Sequence, residues 1–239
     1  RISGETDFPC IYDERVGLGR SYVRLSAGAG LTFDAWVEGL RDGASYVSEG
    51  SSHLVDFEVQ GLRVGERGAG GRPSVLAARS GERLRVKARA AALLAAAPRE
   101  DIRALALDEQ PYWHVERARS GEARRVPVEL VVNGQAVEAR EIEADGRLVE
   151  LAFELEPAIS SWVALRIFPS SHTNPVFVEL DGRAIRASRR SAEWCAEAVD
   201  VCWRSKEQQI RASEREAARK AYDFALAVYR ERAGAAQGE

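Results

Sequence analysis

The densest chemistry-bearing segment is Ser3-Gly-Glu-Thr-Asp7, where Glu5 and Asp7 stand two residues apart just before Phe8-Pro9-Cys10. On an extended strand, side chains two apart point to the same face, so these two carboxylates are positioned to offer hard oxygen donors to one cation. A carboxylate at a strand end is also what a hydrolytic metal site uses to hold the ion that activates water. Acidic residues beside a turn are usually solvated or capping, and the spacing alone is a weak signal for a metal.

Other candidates are more dispersed. The three histidines, His53, His114 and His172, lie in separate segments without a second ligand-type residue at helical or hairpin offset. Structural hydrogen bonding is the expectation for each. Arg83, Arg85, Lys87 and Arg89 alternate with apolar residues, as a row of charge on one strand face. Such a row could bind an anionic glycan or phosphate, or guard an exposed strand against edge-to-edge pairing. Tyr112 and Trp113 follow Pro111 in an irregular stretch and are the aromatic pair best placed to stack on a carbohydrate, whereas Trp162, Trp194 and Trp203 sit in apolar patterns that predict packing. Cys195 and Cys202, seven apart on a helical pattern, fall about 10 Å from each other and cannot form a disulfide across an intact helix. They are expected as buried thiols. No G-x-S-x-G, Walker loop, G-x-G-x-x-G or H-x-x-x-H occurs, and the glycine-rich run at 65–71 lacks the Lys-Ser/Thr of a phosphate cradle and reads as a turn.

The elements that must position these residues fall into three zones. Residues 1–50 mix strand and helix signals: a strand from Tyr22, a helix whose stripe is Phe33, Trp36, Val37 and Leu40, and a strand from Ser45 to Ser48. Thr32 is the predicted N-cap of that helix and Gly43 its stop. Residues 51–187 alternate with period two. His53, Val55, Phe57 and Val59 are assigned to one strand face, and Leu84, Val86, Ala88 and Ala90 to another. Strands ending at Val132 and Leu180 run into Asn133-Gly134 and Asp181-Gly182, and Asp145-Gly146 precedes a strand from Val149 to Leu155. These dipeptides tolerate the positive φ of tight hairpins, so the zone predicts an antiparallel β-sandwich. The stretch 98–111 resists assignment. From Ser188 the pattern turns helical, with a capping box at Ser213 and Glu216 opening a second helix.

The totals set outer limits. The 239 residues carry 34 Lys plus Arg against 37 Asp plus Glu, a net charge of −3 that gives no electrostatic drive toward nucleic acid or an anionic membrane. No apolar run reaches the roughly 18 to 20 residues that span a bilayer. The chain opens at Arg1 and contains no Met. The expectation is therefore the C-terminal part of a longer protein.

The order of segments resembles the CehA/McbA-type metallohydrolases of the PHP superfamily. Ser3-Gly-Glu-Thr-Asp7, Arg15-Val-Gly-Leu-Gly-Arg20, Tyr22-Val-Arg-Leu25, the helix at 33–41 and Ser45-Tyr-Val-Ser-Glu-Gly50 resemble the end of that family's catalytic domain. Ser171-His-Thr-Asn-Pro-Val-Phe-Val178 with Asp181-Gly182, and then Arg189-Arg-Ser-Ala-Glu-Trp-Cys195, resemble its C-terminal β domain and tail. The resemblance implies a mainly β fold in three parts: residues 1–50 as the end of a PHP-like barrel, 51–187 as a β-sandwich and 188–239 as a helical tail. It implies a divalent-metal-dependent hydrolase of ester, amide, carbamate or phosphoester bonds using Zn or Mn, with Asp7 as one metal ligand and Glu5 at an altered position of the motif. The family's His-x-His ligands have no counterpart here, so a complete active site is not expected and no catalytic residue is assigned. The substrate, a small molecule or a polymer, would be met mainly by the absent part. The rival reading is a polymer-binding or structural sandwich, and an oligomer is compatible with either.

Overall fold

The computed structural model describes residues 1–5 and 17–238. Two β-sheets pack face to face around one apolar core, and a pair of C-terminal helices completes the chain.

The first described strand, β1 (Arg20–Val23), is followed by α1 (Phe33–Asp42) and β2 (Ser45–Ser48). Local chemistry fixes α1. The Thr32 side chain accepts from the Ala35 amide, and Gly43 stands in the left-handed region at φ 82°, its amide closing the last turn. The predicted stripe is present, yet Phe33 stays 75% exposed, so α1 lies on the surface without burying any residue.

The smaller sheet has the order β4-β3-β6-β9, from β3 (Ser52–Val59), β4 (Leu62–Arg63), β6 (Leu84–Ala92) and β9 (Val149–Leu155). Along β6, Leu84, Val86, Ala88 and Ala90 are all buried, as the alternation predicts. β3 departs from prediction. Asp56 adopts φ 55° and the register shifts between Val55 and Glu58, so a bulge inserts one extra residue. Leu54, Phe57 and Val59 therefore face the core while His53 and Val55 do not, and the four do not share one face.

The larger sheet is built around β10 (Ser161–Ile167). One edge of β10 pairs with β7 (Arg125–Val132), which pairs in turn with β8 (Gln135–Glu143). The other edge pairs first with β12 (Val176–Leu180) and then with β11 (Ser171–Thr173), and there the sheet forks. β11 leads to β2 and β1; β12 leads to β5 (Val75–Ala78). The Asn133-Gly134 and Asp181-Gly182 turns take the predicted positive φ values, 51° and 90°, and 52° and 72°. The β5–β12 pair is parallel, the one departure from antiparallel pairing among the described strands.

The described residues of 1–50 thus do not stand beside the sandwich. Their two described strands extend its larger sheet through the register Ser48↔Ser171, Val47↔His172 and Tyr46↔Thr173. The glycine-rich run is shaped by close approach rather than by phosphate: a Cβ at Gly68 would lie 2.0 Å from the Val75 carbonyl oxygen, and one at Gly65 2.4 Å from the Ala44 side chain. In the unassigned stretch a single turn, α2 (Glu100–Arg103), precedes a short 3₁₀ segment, Val115–Ala118.

The tail forms a helical hairpin, α3 (Arg189–Lys206) and α4 (Arg215–Gly234). Ser188 caps α3 by accepting from the Ser191 amide. The predicted capping box of α4 is absent, because Glu214 enters the helix already in helical geometry and its carboxylate takes Arg211, while Glu216 takes Lys220.

Candidate functional site

Asp7 lies outside the described residues. Glu5 is exposed, its Oε1 accepting from the Ser3 hydroxyl at 3.0 Å. Ile2 to Glu5 is not a strand, yet it is pinned to the edge of β1. The Ile2 amide donates to Asn174 Oδ1 at 3.0 Å and the Gly4 amide to the Ser21 hydroxyl at 2.9 Å. A Cβ at Gly19 would stand 2.4 Å from the Glu5 carbonyl oxygen, so only glycine permits this approach. Glu5 and Gly19 therefore lie beside the same strand.

Asn174, fully buried, supplies the other half of this anchor at the fork of the larger sheet. Its Nδ2 donates to the Ser45 carbonyl and hydroxyl at 3.2 and 2.7 Å while Oδ1 takes Ile2. One turn away, Glu49 is 2% exposed, and its carboxylate accepts from the Ser51 amide, the Ser51 hydroxyl and the Ser170 hydroxyl. Ser52 bonds both Ser170 and Ser171 at 2.7 Å. A buried carboxylate survives in a fold only when its oxygens are met this way. The network rivets the β2–β3 turn to the β10–β11 turn. Its sequence signal is faint: serines flanking a glutamate look like any polar turn.

Beside this anchor, Tyr22 and Tyr46 stack with ring centroids 5.0 Å apart, and His53 meets the Tyr22 ring edge-on at 5.1 Å. Tyr46 Oη and His53 Nδ1 are 2.8 Å apart. Burial foremost, with the Tyr22 ring hydroxyl next, pushes the Tyr46 phenol well above its ordinary range. Burial also lowers His53, opposed by Glu49 and reinforced by Arg20. The pair is thereby held as a neutral imidazole and a protonated phenol. The same two tyrosines line a cleft of about 400 Å³ between β1–β2 and the bulge of β3. Leu54, Phe57, Val64 and Leu148 give it apolar walls, and the Asp56–Arg89 ion pair also lines it.

The other histidines are satisfied locally: His114 Nδ1 accepts from the Glu116 amide at 3.0 Å, and His172 Nδ1 lies 2.6 Å from the Thr173 carbonyl, with burial lowering its pKa. Among the described residues, no group of three or more His, Cys, Asp or Glu side chains could hold a metal. Glu5 alone does not make a site for Zn, which takes about four donors.

Two residues of the basic row are ion-paired and the other two stand opposite acidic residues. Arg89 pairs with Asp56 and Arg83 with Glu154, while Lys87 stands opposite Glu58 in register and Arg85 opposite Glu154. Tyr112 and Trp113 are half-buried and mutually perpendicular at 85°, and Trp113 covers Gly19. They form no flat platform for a sugar ring.

A buried pair that no sequence motif marks follows a few residues along the chain. Glu116 and Arg119 form an ion pair with side chains 1% and 0% exposed, at 2.5 and 3.0 Å. The Arg119 guanidinium also reaches the carbonyls of Ala95 and Ala123, and the Arg99 amide donates to Glu116. Burial raises the Glu116 pKa, but Arg119, the Arg99 amide and the charge of His114 together outweigh it and leave it lowered. This pair ties Arg99, near the start of the unassigned stretch 98–111, to the 3₁₀ segment that follows it; its only signal was an i, i+3 spacing common to many surface pairs.

The thiols depart from expectation. Cys195 is half-buried and Cys202 exposed, 3.3 Å from Tyr222 Oη. Trp194, expected to pack, is 68% exposed. No helix among the described residues is long and apolar enough to cross a membrane. Comparison of the chain with protein-family models, with characterised proteins and with solved structures finds no match.

Proposed function

We propose that the chain is the closing part of a divalent-metal-dependent hydrolase of the CehA/McbA type, cleaving ester, amide, carbamate or phosphoester bonds. In this reading the sandwich is a rigid, non-catalytic platform and Asp7 is one ligand of a Zn or Mn site whose remaining ligands come from upstream. The observation that carries it is an anchor among the described residues: Glu5 and Gly19, which flank Asp7 in the sequence, lie side by side, tied to β1 and Asn174. Metal ligands need such fixed supports, since a ligand left on a mobile chain gives up ordering entropy on binding. The ordered resemblance of the flanking segments supplies the reaction class.

The reading expects a His-x-His pair after a strand in the coding sequence before Arg1. Produced together with that upstream part, the protein should bind stoichiometric Zn or Mn and hydrolyse generic esters or phosphoesters, and Asp7→Asn should lower metal content with the sandwich's circular dichroism unchanged. The chain of 239 residues by itself should be inactive. Turnover by that chain, retained in Asp7→Ala, would remove the proposal.

A further inference from the structure

We propose that the helical hairpin is a homodimerisation element, in which α3 and α4 of one copy lie antiparallel on α3 and α4 of a second copy to form a four-helix bundle. This inference stands apart from the metal reading.

The hairpin cannot bury its own apolar surface. Only Ala196, Trp203, Leu226 and Ala233 are buried in its two helices. Between the helices runs an open groove of about 450 Å³, lined on one wall by Trp194, Cys195, Ala198, Val199 and Cys202 and on the other by Ala221, Tyr222, Ala225 and Tyr229. None of these side chains is charged, although charged residues fill the opposite faces of both helices. Depletion of charge with retention of aromatics is the composition of an interface centre.

The groove is also complementary to itself. At helical spacing of four, α3 presents Trp194, Ala198 and Cys202, one bulky residue followed by two small ones. α4 presents Ala221, Ala225 and Tyr229, again with its bulk at one end. The helices are antiparallel, so Trp194 and Tyr229 lie at the same end of the groove and Cys202 and Ala221 at the other. A two-fold axis crossing the helices at Ala198 and Ala225 sets each bulky side chain over the small ones of the second copy, as an isologous interface requires.

The size suffices. Helices of 18 and 20 residues are roughly 27 and 30 Å long at ~1.5 Å per residue, and two of them about 10 Å apart offer a face of ~600 Å² per copy. The total of ~1,200 Å² reaches the lower bound for specific association. A second copy is thus an occupant matched in length, shape and polarity.

Sedimentation of the whole chain should give twice the monomer mass of 26.3 kDa at micromolar concentration. Ala225→Glu, which places a charge in the groove, should halve that mass, while Ala227→Glu on the opposite face of α4 should leave it unchanged. Because Ala225→Glu could loosen the hairpin itself, a second variant reads the geometry directly. With the three native cysteines replaced by serine, Ala198→Cys should form a disulfide-linked dimer on oxidation and Ala227→Cys should not. A wild type that stays at 26.3 kDa overturns the proposal. So does a dimer that survives Ala225→Glu, or one that Ala198→Cys fails to trap.

Discussion

The sandwich and the helical hairpin solve the same problem of burying apolar side chains with opposite success. In the sandwich, Val59, Val86, Val126, Val163 and Ile167 have no exposed surface at all, because two sheets close on each other from both sides. In the hairpin, two helices meet along one line, and Trp194, Val201 and Phe224 remain more than half exposed. Two layers enclose a core; one layer of two helices does not. The sandwich should therefore carry the global stability, and the hairpin should open independently of it.

The sharpest way to break that comparison is to empty the sandwich. Phe153→Ala removes one of the largest fully buried side chains, and denaturant unfolding should show a loss of about 3 to 5 kcal/mol. A much smaller loss would mean that the two sheets are not the cooperative unit. Glu116→Gln comes next, at about 2 to 3 kcal/mol, since Arg119 would keep its charge in a buried site without a counter-charge. Its pH dependence has a definite sign. The Glu116 pKa is lowered on folding, so its contribution is fully present above the carboxyl's unfolded pKa and is lost as pH falls through the folded value. The difference between wild type and Glu116→Gln should be largest near neutrality and shrink in strong acid.

Within the hairpin, Trp203→Ala removes the ring that Tyr222 meets edge-on at 5.2 Å and Arg219 covers at 4.7 Å. Hydrogen exchange should accelerate at least tenfold along α3 and α4, with the sandwich amides unchanged. Equal acceleration in β10 would show the two regions to be one cooperative unit. The smallest effect belongs to Arg83→Ala, which breaks an exposed pair with Glu154 and should leave the melting temperature where it was.

Much of the sandwich was legible because strand periodicity and turn chemistry are local. The buried alternation of β6, the Thr32 cap, the Gly43 stop and the positive φ at Asn133-Gly134 all follow from residues a few positions apart. The bulge at Asp56 was not, since one residue in the left-handed region flips the side-chain alternation without altering composition. The candidate site was legible only as a pair of carboxylates. What pins its described end, namely Asn174 on Ile2, Glu49 with Ser170, and Trp113 over Gly19, joins residues separated by 94 to 172 positions.

The sequence by itself therefore determined the longer strands and helices and several of the turns between them, and that the charge balance favours no polyanion. Only the tertiary structure decided that β1 and β2 join the larger sheet, that Arg83 and Arg89 of the basic row are ion-paired, and that Cys202 and Trp194 face an open groove. The reason is physical: periodicity encodes which face of an element is apolar, whereas the partner that covers that face is set by long-range pairing that no local pattern contains.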